Sequence, residues 1–188
     1  MRVVLGVTGG IAAYRAPEIA RALKKKGVDV VCVLSSAAEE FVTPLSLRTV
    51  TENPVFTDMF HAAKNPGSKV EHIDLARNCD VILVAPATAN VIGKVAAGIA
   101  DDLLTTVIMA AEKKVIFAPA MNKAMWANPI VKANVEKLKK LGYIFTGPAE
   151  GVLACGEYGA GHIEDTSVIV NAVLASAKTK ASSKKKLS

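Results

Sequence analysis

The sequence predicts an α/β domain built on a mostly parallel, doubly wound sheet, and three observations lead to this fold class. Apolar runs rich in β-branched residues recur along the chain. They are continuous rather than alternating, as expected for strands buried on both faces of a parallel sheet. Segments with helical spacing of apolar residues separate them, so strand and helix alternate. A length of 188 residues, 51% of them hydrophobic, suits one such domain.

Six strands are predicted, four from clear apolar runs and two from weaker ones. The clear runs are residues 3–7, 28–34, 81–85 and 115–118, and the weaker ones are residues 143–145 and a segment near Val55. Right-handed crossovers between parallel strands place helices on both faces of the sheet. The expected result is a three-layer, Rossmann-like or flavodoxin-like domain.

Helix boundaries between these strands are marked by proline at the starts and glycine at the ends. The signals are Pro17 and Gly27 for one helix, Thr43-Pro44 for a second, and Asn128-Pro129 and Gly142 for a third. In the last two starts, a capping residue directly precedes the proline. A final helix is expected from Asp165 onward.

The net charge of +6 is concentrated at the end of the chain. Residues 178–188 contain five of the 23 basic residues, which leaves 18 basic against 17 acidic residues before them. A Lys/Ser-rich segment buries too little apolar surface to offset its ordering entropy. We therefore predict a domain at residues 1–177 and a flexible tail or linker at 178–188. Without a basic stripe that includes aromatic residues, nucleic acid is not an expected partner.

Other bulk features favour a cytoplasmic protein. No apolar run approaches the roughly 20 residues that a membrane-spanning helix needs, and the first residues lack the signal-peptide pattern. The three cysteines, Cys32, Cys79 and Cys155, form no C-x-x-C pair. Reduced thiols and no metal site are therefore expected.

A ligand site is predicted at the carboxyl ends of the strands, where doubly wound sheets bind their ligands. Gly9 and Gly10 follow the first predicted strand and allow backbone amides to approach a phosphate, although a tight turn explains them equally well. Ser35 and Thr88 follow two other strands. Their hydroxyls can converge on the same phosphate or on a ribityl chain, or they can cap helices.

His72 and Asn122 are two candidates for chemistry. An imidazole with an ordinary pKa near 6.5 is a natural proton acceptor at neutral pH, although a lone histidine is also a common surface or capping residue. Asn122 follows the strand at residues 115–118. Its amide can bind a carboxylate, with helix capping as the competing role.

Cys155 is the third candidate. It lies within residues 151–161, a stretch with four glycines that predicts a mobile covering loop. An accessible thiol there can act as an acid or nucleophile, or it can be an incidental loop cysteine. By contrast, Cys32 and Cys79 lie in or beside predicted strands, where cysteine behaves as a small core residue.

Seven segments together resemble a known family, the homo-oligomeric flavin-containing cysteine decarboxylases, and within it the branch that acts on phosphopantothenoylcysteine. They are residues 8–14, 41–47, 72–75, 85–90, 98–105, 119–122 and 154–156. The resemblance extends from Val4 to about Asn171. One departure is the third position of Pro86-Ala87-Thr88-Ala89-Asn90, where other members have serine, a change that keeps the hydroxyl.

The resemblance implies non-covalent FMN at subunit contacts of a trimer, which in bacterial relatives often assembles into a dodecamer. The implied cofactor-binding residues are Gly9, Gly10, Ile11, Ala12, Ser35, Thr43, Pro86, Thr88, Ala89, Asn90, Ala120 and Met121. His72 is the implied base, Asn122 the implied ligand of the substrate carboxylate, and Cys155 the implied proton donor.

The implied reaction converts phosphopantothenoylcysteine to phosphopantetheine in coenzyme A biosynthesis. Oxidation of the thiol to a thioaldehyde provides an electron sink, carbon dioxide leaves, and the same flavin reduces the product. Many bacterial members also contain a phosphopantothenate–cysteine ligase domain, so such a domain or subunit is an expected partner. The alternatives are a peptidyl-cysteine decarboxylase of the lantibiotic type, a flavin prenyltransferase, and a non-catalytic FMN-binding regulatory subunit.

Overall fold

A six-stranded parallel sheet forms the centre of the protein, seen in a computed structural model that describes residues 1–59, 71–152 and 156–184. Its strands are β1 Arg2–Val7, β2 Asp29–Leu34, β3 Val55–Phe56, β4 Val81–Ala87, β5 Lys114–Pro119 and β6 Ile144–Phe145. They lie in the order β3-β2-β1-β4-β5-β6 and are paired in parallel throughout. The predicted fold class and all six predicted strands are confirmed.

Helices cover both faces of this sheet. They are α1 Ala16–Lys25, α2 Ser36–Glu39, α3 Pro44–Thr51, α4 Glu71–Arg77, α5 Ala89–Ala97, α6 Leu103–Ala110, α7 Lys123–Ala127, α8 Pro129–Lys140 and α9 Thr166–Lys184. Residues of α1, α3 and α9 pack on one face, and residues of α4, α5, α6 and α8 pack on the other. The arrangement has the predicted three layers.

Burial of apolar side chains on the two faces stabilises the fold. Leu5 of β1 and Ile19 of α1 belong to one buried cluster. Phe117 of β5 belongs to the other and stacks on Tyr143 and Phe145, with ring centroids 5.9 and 5.3 Å away. Each fully buried side chain of this size contributes roughly 1.5–3 kcal/mol relative to an exposed one.

The helix signals in the sequence act as predicted, with one shift. Thr43 caps α3 by accepting a hydrogen bond from the Ser46 amide at 3.3 Å, and Gly27 follows α1 with a φ of 74°. The segment after the glycine pair is a 3₁₀ helix, Ile11–Arg15, and α1 begins only at Ala16. Pro17 therefore takes the second position of α1, where its missing N–H is also tolerated.

The predicted covering loop at residues 151–161 is largely wrong in its secondary structure. Strands β7 Ala149–Val152 and β8 Tyr158–His162 form an antiparallel hairpin outside the main sheet. Gly161 has a φ of 152°, and a Cβ there would overlap the carbonyl oxygen of Met121. At least one of these glycines therefore permits close backbone packing rather than loop flexibility.

The last helix begins one residue later than predicted. It starts at Thr166 instead of Asp165 and continues to Lys184, past the predicted domain boundary at residue 177. Alanine and lysine are strong helix formers, so a charged composition does not by itself prevent a helix. Within the described ranges, no helix is both long and apolar enough to cross a membrane.

Candidate functional site

A cavity of about 690 Å³ opens at the carboxyl ends of the central strands. The chain order of the sheet reverses between β1 and β4, and residues directly after both strands line the cavity. The position agrees with the rule that doubly wound sheets bind ligands at this switch point. The volume lies within the range of about 300–1,000 Å³ typical of cofactor and small-molecule pockets.

One side of the cavity, here called the strand-end wall, consists of residues 8–12, 35–37 and 88–90. These residues follow β1, β2 and β4 directly. The wall contains most of the predicted cofactor-binding residues, namely Gly9, Gly10, Ile11, Ala12, Ser35, Thr88, Ala89 and Asn90.

Thr8 connects the two halves of the strand-end wall. Its buried hydroxyl donates to the carbonyl of Pro86 at 2.7 Å and accepts from the amide of Thr88 at 3.2 Å. The end of β1 is thereby fixed to the end of β4, and one buried side chain satisfies two backbone groups. Sequence reasoning did not select Thr8, although a hydroxyl residue between an apolar strand and a glycine pair was the available signal.

The two glycines of this wall meet different surroundings. A Cβ on Gly9 would lie 2.8 Å from the backbone carbonyl carbon and oxygen of Ala37, so only glycine fits against α2. A Cβ on Gly10 would meet only the Thr88 methyl group, at 3.4 Å. Close packing therefore explains Gly9, whereas Gly10 leaves its backbone beside open cavity space.

The hydroxyl residues separate into caps and cavity-lining groups. Thr88 has both roles: it caps α5 by accepting from the Val91 amide at 3.4 Å, and it lines the cavity. Ser35 precedes α2, makes no side-chain capping bond and lines the cavity. Thr43 caps α3 and, like the buried Pro86, lies outside the cavity lining. The cofactor contacts assigned to Thr43 and Pro86 stay predictions.

The opposite side, here called the hairpin wall, consists of residues 120–122, 152 and 161–163. The Met121 amide donates to the Gly161 carbonyl at 3.0 Å, which joins the end of β5 to strand β8. Asn122 has both roles considered for it. Its Oδ1 accepts from the Ala124 amide at 2.8 Å to cap α7, and the residue also lines the cavity.

His72 is not brought to the cavity lining within the described part of this single chain. His72 is half-buried in the first turn of α4, outside the cavity lining. Cys155 lies outside the described residues. Cys32 and Cys79 are buried as predicted, and burial raises the pKa of the Cys32 thiol to about 12.

Charged groups in the cavity lining are few. Lys94 of α5 lies 2.8 Å from Asp101 and 3.5 Å from Asp102, and both Lys94 and Asp102 line the cavity. The hydrogen bond to Asp101 raises the pKa of Lys94 and lowers that of Asp101. Among the described residues, no group of three or more His, Cys, Asp or Glu side chains is placed to hold a metal ion.

Comparison with known proteins identifies similar sequences and structures. A family model described as Flavoprotein matches residues 1–178. The coenzyme A biosynthesis bifunctional protein CoaBC of Bacillus subtilis (strain 168) is 47% identical over 168 residues, covering 89% of this chain and 41% of that protein. The chain thus spans about two fifths of the length of this curated relative.

Two solved structures show the same fold over nearly their whole length. A mutant PPC decarboxylase complexed with pantothenoylaminoethenethiol has a TM-score of 0.85 and 33% identity, with 93% of this chain and 96% of that chain covered. The FMN binding protein AtHal3 has a TM-score of 0.82 and 34% identity, with 93% and 95% covered.

Proposed function

This chain belongs to the Flavoprotein family, and on that premise we propose that it binds FMN and decarboxylates phosphopantothenoylcysteine to phosphopantetheine in coenzyme A biosynthesis. The observation that carries the proposal is the cavity at the β1–β4 switch point, in a fold that matches a PPC decarboxylase over 93% of the chain. The similarity to CoaBC supports the same reaction and pathway.

The strand-end wall fits the phosphate and ribityl part of FMN. Gly10 exposes backbone beside the cavity, and the Ser35 hydroxyl lines it without a capping bond. Apolar side chains of Ile11 and Met121 line the same space and suit a planar ring system. Bound FMN would supply the reversible two-electron oxidation that creates the electron sink for decarboxylation.

Asn122 is proposed to orient the substrate carboxylate. Its Oδ1 accepts the hydrogen bond from the Ala124 amide, and this contact fixes the orientation of the side-chain amide. The NH2 group of the same side chain is the donor suited to a carboxylate. A carboxylate held here would be positioned for departure of carbon dioxide.

His72 is proposed to act in the cavity of a neighbouring copy. The described chain holds it at the start of α4, outside the lining of its own cavity, whereas an acid–base group must come within hydrogen-bonding distance of its substrate. Ile11 and Tyr14 at the cavity are 59% and 60% exposed, as expected of apolar surface that another subunit covers. We therefore include a homo-oligomer, trimer or dodecamer, in the proposal.

Cys155 is proposed as the proton donor in the last step. It falls between β7 and β8 in the sequence. A ligase domain or subunit is a further proposed partner, since the relative in Bacillus subtilis is named bifunctional and is more than twice as long as this match. A cytoplasmic location is also part of the proposal.

The decisive experiment incubates the purified protein with FMN and phosphopantothenoylcysteine. We expect a yellow protein with flavin absorbance, carbon dioxide release and the mass of phosphopantetheine. A peptide with a carboxyl-terminal cysteine and a prenyl phosphate donor serve as competing substrates. A protein that takes up no FMN, or that turns over only a competing substrate, would overturn the proposal.

A further inference from the structure

His162 is a cavity residue to which the proposed reaction assigns no role. It is the last residue of β8, half-buried, and lines the cavity as part of the hairpin wall. The preceding residue, Gly161, accepts the hydrogen bond from the amide of Met121, which itself precedes Asn122. His162 and Asn122 therefore lie on the same wall, each one residue away from a shared backbone hydrogen bond.

The surroundings of His162 fix the orientation of its ring. Nδ1 lies 2.8 Å from the carbonyl oxygen of Ile163, and a carbonyl can only accept, so Nδ1 carries a proton. Across the hairpin, a Cβ on Gly151 would lie 3.5–3.7 Å from the Cβ, Cγ and Cδ2 atoms of His162, so the ring packs over this glycine. Nε2 is the remaining polar atom of the ring.

The charged groups of the cavity lining indicate that Nε2 of His162 is suited to bind an anion. Among the lining residues that the structure describes, the other basic side chain is Lys94, whose charge is compensated by Asp101 and Asp102. His162 makes no ion pair with any described residue. A protonated imidazole can donate from Nε2 to an oxyanion while Nδ1 keeps its bond to Ile163.

We propose that His162 Nε2 binds an anionic group of the substrate and so determines substrate specificity. This inference rests on the proposed function, in which the substrate has a carboxylate and a phosphate. Both groups offer oxyanions of the same hydrogen-bonding chemistry. The strand-end wall accounts for the flavin phosphate, so the flavin is not the expected partner.

Three pairs of ligands, each differing by one anionic group, test the proposal, and the two substrate pairs are measured with the FMN-loaded protein. Phosphopantothenoylcysteine against pantothenoylcysteine reports on the phosphate, and phosphopantothenoylcysteine against phosphopantetheine reports on the carboxylate. FMN against riboflavin, added to the flavin-free protein, reports on the cofactor phosphate. Affinities come from KM and inhibition constants, or from flavin absorbance changes if no turnover occurs.

The variants are His162→Ala and His162→Arg, with Tyr158→Ala as a matched control on an exposed hairpin position. We expect His162→Ala to reduce the discrimination of one substrate pair by about 10- to 100-fold, the contribution of a hydrogen bond to a charged group. His162→Arg should retain most of it, because a guanidinium also binds oxyanions. The FMN-to-riboflavin ratio should stay unchanged in all variants, which also shows that the fold is intact.

Unchanged ratios for both substrate pairs in His162→Ala would overturn the proposal, as would a change confined to the flavin pair. Failure of the proposed function has a different signature. In that case the wild type would bind the substrate without releasing carbon dioxide. The affinity ratios for the two substrate pairs would still report on His162. A wild type that binds neither the substrate nor the product would overturn both.

Discussion

The two walls of the cavity are built in different ways. The strand-end wall consists of the ends of β1, β2 and β4, and the buried hydroxyl of Thr8 connects two of them. The hairpin wall comes from strand β8 and the β5–α7 connection, joined by the hydrogen bond between Met121 and Gly161. The strand-end wall is therefore fixed by the core, whereas the hairpin wall depends on a few contacts outside the main sheet.

The largest expected effect is that of replacing Cys155, the proposed proton donor. Cys155→Ser should still release carbon dioxide but should lower formation of phosphopantetheine by about 10²–10⁴-fold, the usual contribution of a positioned acid. Mass spectrometry would detect the accumulated oxidised product beside the carbon dioxide. Full formation of phosphopantetheine by this variant would remove Cys155 from the mechanism.

The next largest effect concerns Gly161, and it distinguishes the contribution of the hairpin wall from that of the strand-end wall. Gly161→Ala places a Cβ against the Met121 carbonyl oxygen and disfavours the φ of 152°, so β8 must move away from Asn122. We expect kcat/KM to fall by about 10- to 100-fold through misplaced substrate, while FMN stays bound. Gly151→Ala is the control, since its Cβ would make ordinary contacts of 3.5 Å with His162. Equal behaviour of the two variants would refute the inferred role of the Met121–Gly161 contact.

A smaller effect concerns the strand-end wall. Gly9→Ala forces its Cβ toward the backbone of Ala37 and should lower the free energy of unfolding by about 1–3 kcal/mol. The same variant should also retain less FMN. Gly10→Ala, which meets only the Thr88 methyl group, should change the free energy of unfolding by no more than about 0.5 kcal/mol. Urea unfolding of both variants in the absence of FMN measures the difference. A stable Gly9→Ala would show that α2 shifts easily.

The smallest effect concerns Lys94. Its hydrogen bond lowers the pKa of Asp101 below the usual 3.8, so this contribution to stability is present at neutral pH and disappears as the pH falls and Asp101 becomes protonated. Lys94→Met should therefore lower Tm slightly at neutral pH and lose less Tm on acidification than the wild type. Exposure of the pair keeps the effect small and sensitive to salt. Lys140→Met is the control, and equal acid sensitivity of both variants would contradict the role of the ion pair.

Most of the fold was predictable because its signals are local. Continuous apolar runs, the cap at Thr43 and the glycine at position 27 act through neighbours in the sequence. The glycine pair and Thr88 could be placed at one edge because parallel strands end together. Their position in the cavity lining agrees with this expectation.

The missed features depend on residues that are distant in the sequence. Thr8 bonds to Pro86 and Thr88 across 78 and 80 positions. The strands of the hairpin were predicted as loop because glycines that serve close packing and glycines that serve flexibility look alike in a sequence. His162 likewise gains its place through the attachment of the hairpin to Met121 and Lys123, which are distant from it in the sequence.

The sequence by itself determined the alternation of strand and helix, the turns at the strand ends and the family resemblance, since each follows from short-range pattern or motif. Only the tertiary structure decided that Gly9 packs against α2, that Asn122 both caps a helix and lines the cavity, and that His72 lies outside the cavity lining. The physical reason is that these properties depend on which distant surfaces meet, and a local pattern does not contain that information.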